Sequence, residues 1–184
     1  MSAFRLRMAA RVLRAGGVVA YPTEGVYGLG CDPLDPDAVQ RVLALKGRSA
    51  RKGLILIAAD YAQVRPFLLP PGRQLGRRLR DDWPGPVTWV LQAAPGVPGW
   101  LTGGRDTLAA RVTAHPLAAA LCRTFGRALV STSANRSGAP PARSALAVRR
   151  LCGDAVDLIL AGPLGDLQGP TPIRDGTTGR LLRK

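Results

Sequence analysis

Residues 18–32 read VVAYPTEGVYGLGCD. Val18 to Tyr21 form an apolar run suited to a short buried strand, and the run empties abruptly into Pro22, Thr23 and Glu24. Gly25, Gly28 and Gly30 follow among aromatic and aliphatic residues. A plain turn needs one or two of these features. Together they describe a backbone shaped to approach something, with Thr23 and Glu24 presented at the strand's end and the glycines expected to turn the chain away. No Gly-Lys-Ser/Thr follows, so this is not a Walker loop, and the glycine spacing is not that of a dinucleotide fingerprint.

The same pattern returns at ALVSTSANRSG, residues 128–138, where another apolar strand ends in polar side chains. Between and around these two strands, helices and strands alternate. Leu6, Ala10 and Leu13 mark a first amphipathic helix, a better account of the Arg-rich, acid-free residues 1–15 than a transit peptide. Asp35 caps a second helix with Pro36 in its first turn and Lys46-Gly47 at its end. Gly53 to Ala59 is continuously apolar and reads as a strand covered on both faces. Asp60 starts a short helix that stops before Pro66. Leu75 and Leu79 mark another, with Arg73, Arg77, Arg78 and Arg80 on its outer face. WPGPVTWVLQ and LAARV supply strands, His115-Pro116 opens a helix that Gly126 closes, and Ser144 opens one to about Cys152. VDLIL is a further strand, and two short strands flank DGTTG. Several connections are too short for crossover helices. The expected fold is α/β (α+β), a twisted mixed parallel and antiparallel sheet flanked by helices, in one domain over residues 1–184.

Composition narrows the function. The net charge of +14 gives long-range attraction to polyanions, and arginine, which dominates the basic residues, suits phosphate. A GC-rich genome would produce a similar arginine bias. The 46% apolar content excludes a disordered chain. Cys31, Cys122 and Cys152 lack metal-ligand spacing and sit on apolar flanks, as core fillers in a reducing cytoplasm would. No apolar stretch approaches membrane-spanning length. The single histidine, His115, stands at a helix start, which counts against His-dependent hydrolases and His-ligated metals.

Three constellations remain. Ser131, Thr132, Ser133 and Asn135 can bind a carboxylate, a ribose or phosphates, or can satisfy their own backbone in a Ser-rich turn. Lys46, Arg48, Arg51 and Lys52 crowd LKGRSARKG beyond what balancing a helix dipole requires, and Lys46 and Arg48 are placed to meet a polyphosphate. Arg111 lies inside a strand and needs an anion if it points inward, either a substrate carboxylate or a structural Asp or Glu.

Five blocks in order, AYPTEGVYGLGCD, LALKGRSARKGLILIA, WPGPVTWVL, DTLAARVTAHPL and LVSTSANRSGAPP, resemble the YrdC-like threonylcarbamoyl-AMP synthases from about Ala9 to Arg183. The resemblance implies an enzyme, a nucleotidyltransferase, that joins L-threonine, bicarbonate or CO2, and ATP (with Mg2+) into threonylcarbamoyl-AMP and pyrophosphate. Its product serves a downstream threonylcarbamoyltransferase complex that modifies tRNA beside the anticodon. It also implies a basic concave cavity. Thr23, Arg111, Ser131 and Thr171 would contact threonine; Lys46, Arg48, Thr107, Ser133, Asn135, Pro141 and Arg183 would contact ATP. No residue is implied as general acid or base, and none as metal ligand. Ile57 stands where the long form of the family has a His, as in the short bacterial form. Gly25 replaces the commoner Thr or Ser, so one hydroxyl near the substrate is missing. Glu24 is expected to orient loop amides or a cation rather than touch substrate. The competing expectation is a non-catalytic basic protein that binds tRNA or rRNA. Few aromatic residues (5%) and no RNP-like motif disfavour a base-stacking platform.

Overall fold

The computed structural model describes residues 2–183. Its first helix, α1 (Ala3–Arg14), buries Ala10 and Leu13 of the expected stripe together with Ala9, while Leu6 is half-buried. Strand β1 (Val19–Pro22) follows, fully buried. The next element departs from expectation: Tyr27–Gly30 is a second strand, β2, antiparallel to β1 with Val19 opposite Gly30. Gly28 and Gly30 therefore do not turn the chain. Gly30 leaves room for the Tyr21 ring, because a Cβ on it would lie 2.8 Å from the ring's Cε1 and 2.7 Å from the Val130 carbonyl.

Helix α2 (Pro36–Lys46) starts and stops as its sequence dictates. The Asp35 carboxylate accepts the Asp37 and Ala38 amides, a cap worth about 1 kcal/mol, and Gly47 ends the helix in the left-handed region at φ 55°. Then come β3 (Ile55–Ala58), α3 (Tyr61–Val64), α4 (Arg73–Asp82), β4 (Thr88–Gln92), the one-turn α5 (Gly99–Thr102) and β5 (Thr107–Val112). Helix α6 (Pro116–Phe125) leads to β6 (Leu129–Ser133), and α7 (Ala145–Cys152) leads to β7. Of the predicted strand VDLIL only Leu158–Ile159 pairs, as β7 beside β1. The chain closes with the hairpin β8 (Ile173–Asp175) and β9 (Leu181–Arg183).

The strands form one sheet of nine in the order β7-β1-β2-β6-β3-β5-β4-β8-β9, mixed as expected. The pairs β1–β7, β3–β5 and β4–β8 are parallel, and the other neighbours are antiparallel. One face carries Ala20, Leu29, Leu56, Ala110 and Val130 against α2 and its neighbours. The opposite face carries Val19, Tyr21, Ile57 and Leu129 under α1 and α6. Cys122 belongs to this second cluster, and burial pushes its thiol up to about 12, so it behaves as a core filler.

That second face positions the site. Alternate residues of a strand share a face, so Ile55 sits beside Ile57, and Ser131 and Ser133 continue the line of Leu129. Ile57 and Leu129 are covered by the α1–α6 layer, whereas Ile55, Ser131 and Ser133 open into a cleft. The polar switch in the sequence of β6 marks where helix cover ends.

Candidate active site

The cleft has a volume of about 430 Å3. Its walls bring together Thr23, Arg48, Thr107, Arg111, Ser131, Ser133, Thr171 and Arg183, residues spread over most of the chain. Lys52 and Arg105 add further cations, and no carboxylate lines it among the described residues.

Arg111 points inward from β5 and is 4% exposed. One terminal nitrogen, Nη1, donates to Thr88 Oγ1 at 3.1 Å and Thr171 Oγ1 at 2.8 Å; the other, Nη2, lies 3.2 Å from Glu24 Oε2. Of the two anions expected for it, the structural carboxylate is therefore present, and Glu24 does orient a cation. Its Nε–H still lacks an acceptor. Arg48, in the loop after α2, donates from Nη2 to the Gly53 carbonyl at 3.1 Å, and its buried Nε–H also has no partner. Arg183 reaches in from β9 to donate to the Thr171 carbonyl at 2.7 Å. Burial, reinforced by mutual repulsion, lowers the pKa of Arg48 and of Arg183: Arg105 acts on Arg48, and Arg111 and Arg48 act on Arg183. A cluster of crowded guanidinium groups with unspent buried donors is relieved by an anion.

Lys46, Asn135 and Pro141 do not line the cleft. The Lys46 ammonium is turned onto the β6–α7 loop, where it donates to the Ser133 carbonyl, to the Asn135 carbonyl at 2.9 Å and to Asn135 Oδ1 at 2.7 Å. Ser133 Oγ donates to that same Oδ1 at 2.7 Å, and Asn135 Nδ2 donates to the Ala139 carbonyl. Lys46 and Asn135 thus shape the loop that presents Ser133, and their direct contact with a nucleotide is not part of this arrangement. His115 is a cap, as its position before Pro116 predicts. Its Nδ1 accepts the Ala118 amide, so the proton resides on Nε2 and is donated to the Pro163 carbonyl at 3.1 Å.

Two contributors escaped the sequence reading. Arg105 follows Gly103 and Gly104, both at positive φ, and is tied to the Arg51 carbonyl at 2.8 Å; two adjacent glycines before a cation were its only signal. Residues 163–171, without regular structure, run as a strap beside the PTEG loop: Gly165 and Leu167 donate to the Thr23 and Glu24 carbonyls at 3.0 and 2.9 Å. A Cβ on Gly25 would lie 1.9 Å from the Gly169 carbonyl oxygen, so the residue that replaces the commoner Thr or Ser makes room for this strap.

A family model described as Sua5/YciO/YrdC, telomere recombination, matches residues 11–184. The chain belongs to this family. A threonylcarbamoyl-AMP synthase of Nitrosococcus oceani is 61% identical over 180 residues, covering 98% of this chain and 97% of its own length. One from Methylococcus capsulatus is 54% identical, covering 100% of this chain and 98% of its own. Among solved structures, P. abyssi Sua5 complexed with L-threonine superposes with a TM-score of 0.93 at 35% identity, over 100% of this chain and 54% of that one. E. coli YciO superposes at 0.86 with 28% identity, over 97% of this chain and 88% of its own. The mixed sheet of this Sua5/YciO/YrdC member is thus the family's.

Proposed function

We propose that this chain is a threonylcarbamoyl-AMP synthase, a nucleotidyltransferase that joins L-threonine, bicarbonate or CO2, and ATP, and releases pyrophosphate. The observation that carries the reading is the pair of unpartnered, buried guanidinium donors, Arg48 Nε and Arg111 Nε, in the walls of one carboxylate-free cleft. Such a cleft is built to receive two anionic groups, and the relatives named for this activity support the choice of reaction.

Arg111 with Ser131, Thr23 and Thr171 makes the amino-acid end, with the substrate carboxylate on Arg111. Arg48 and Arg183, with Thr107 and Ser133, make the nucleotide end. Lys46 and Asn135 serve it by holding the Ser133 loop, and we keep for them and for Pro141 a part in ATP binding once the nucleotide is seated. Among the described residues no carboxylate lines the cleft, and Mg2+ would come with the ATP phosphates. The deprotonated threonine amine adds to CO2 and gives up a proton to water as the carbamate forms, a carbamate oxygen bonds to the α-phosphorus, and the bond from that phosphorus to the leaving pyrophosphate breaks. Positioning and charge compensation suffice for this step, so we assign it no general acid or base. The product serves a tRNA-modifying threonylcarbamoyltransferase complex, and we place the reaction in the cytoplasm. Among the described residues no helix is long and apolar enough to cross a membrane. The RNA-binding alternative has less support, because a relative 61% identical over 98% of this chain is named for the synthase activity.

Pyrophosphate release from Mg-ATP, with the adenylate followed by mass, should require both L-threonine and bicarbonate. Arg48→Ala should raise the KM for ATP, and Arg111→Ala the KM for threonine, each about tenfold or more. Release indifferent to threonine, or none at all beside tight tRNA binding, would overturn the assignment.

A further inference from the structure

We infer that Glu24, which lies outside the cleft lining, is a positioning residue for the reaction proposed above, acting through Arg111 and the strap at residues 163–171; this rests on that reading of the site. Glu24 is 7% exposed. Its Oε2 lies 3.2 Å from Arg111 Nη2, and its Oε1 accepts the Thr113 hydroxyl at 2.6 Å. Thr113 Oγ1 in turn accepts the His115 amide at 3.1 Å, and the His115 ring donates to the Pro163 carbonyl. The strap is thus joined to Arg111 twice. Near Pro163–Leu167 the link runs through His115, Thr113 and Glu24, and the Glu24 carbonyl accepts the Leu167 amide. Near Thr171 it runs directly, from Arg111 Nη1 to Thr171 Oγ1.

The chemistry needs this. A buried guanidinium without a fixed counter-ion would rotate toward whatever acceptor it finds, and its remaining free donor would point nowhere in particular. The two threonines accept from Nη1, and the Glu24 carboxylate holds Nη2 as an ion pair without a hydrogen bond, so the guanidinium is fixed while its Nε–H keeps no partner. Glu24 sets the direction in which a substrate carboxylate is received, while its own charge stays outside the cleft.

The test compares wild type with Glu24→Gln on L-threonine and on L-threoninamide, which lacks the carboxylate that Arg111 would bind. Glu24→Gln should lower kcat/KM for L-threonine by about ten- to a hundredfold, mostly through KM, as misplacement of a binding group does. The KM for ATP should stay within about twofold, and the preference for threonine over its amide should shrink by the same factor that threonine loses. A merely structural carboxylate would lower both substrates together. Should Glu24→Gln fail to fold, Thr113→Val, which deletes only the hydroxyl, should show the same selective loss, and Thr113→Ser, which keeps the donor, should recover most of it. Equal losses on both amino acids, an unchanged threonine KM, or a lowered one (Glu24 as competitor of the substrate) would overturn the inference while leaving the reaction standing. A wild-type protein that forms no adenylate would take both down.

Discussion

Lys46 brings a charge to a place where only 3% of its surface meets solvent. Burial, and then the nearby Arg48, bring its ammonium down from an ordinary 10.5 to about 8. The unfolded chain therefore binds this proton more tightly. Between about pH 8 and 10.5 unfolding takes a proton up, so this group's contribution to stability grows as pH rises through that window. Function runs the other way. The neutral amine has one donor fewer for the acceptors on the Ser133–Asn135 loop, and a buried acceptor left alone is costly. Adenylate formation should fall through about pH 8 without a drop in Tm at the same point, measured as parallel pH profiles of rate and melting. The same midpoint in Lys46→Arg, whose charge does not titrate there, would assign the loss to another group.

Among the elements, the strap at residues 163–171 is the piece that completes the cleft, since Thr171 comes from it and Pro170 lines the wall. Gly25→Ala would set a methyl against the Gly169 carbonyl, and overpacking of this kind costs about 1–3 kcal/mol. We expect a lower Tm together with a higher threonine KM, because the strap that moves carries the hydroxyl bonded to Arg111. An unaltered KM in a destabilised variant would show that the strap's place is not coupled to the site. The strap was illegible in the sequence for a physical reason: PLGDLQGPT has neither helical nor strand periodicity, and its shape comes from carbonyls of the PTEG loop far away in the chain. Strand β2 was hidden differently. Glycines weaken a strand's local signal, and the need for one at Gly30 arises only once Tyr21 and β6 lie alongside. By contrast α2, with Asp35, Pro36 and Gly47, was legible to its ends, because caps are local chemistry.

At the scale of the whole molecule, charge was the plainest signal and the least specific. Lys and Arg number 26 against 12 Asp and Glu, and the ion pairs among the described residues are Arg41–Asp157, Arg111–Glu24 and Arg127–Asp32. Most of the positive charge is therefore uncompensated by close contact. Net charge alone raises the expectation of an anionic partner, whereas the meeting of Arg48, Arg111 and Arg183 in one cleft singles out the arginines we assign to it. Two ranges of electrostatics follow, and salt separates them. The general field is largely screened beyond a Debye length, about 10 Å at 0.1 M salt and shorter as salt rises, while contacts inside a half-closed cleft are screened much less. ATP carries several negative charges and feels that field; threonine, a zwitterion with no net charge, does not. Raising monovalent salt from about 0.05 to 0.5 M at saturating magnesium should therefore raise the KM for ATP several-fold and change the KM for threonine by less than about twofold. Steady-state kinetics with each substrate varied in turn would measure both. A parallel rise would mean that the field acts on the protein's conformation rather than on its anionic substrate. An ATP KM indifferent to salt would leave the surplus arginines to some other polyanion, with the cleft's own guanidinium groups sufficient for the nucleotide.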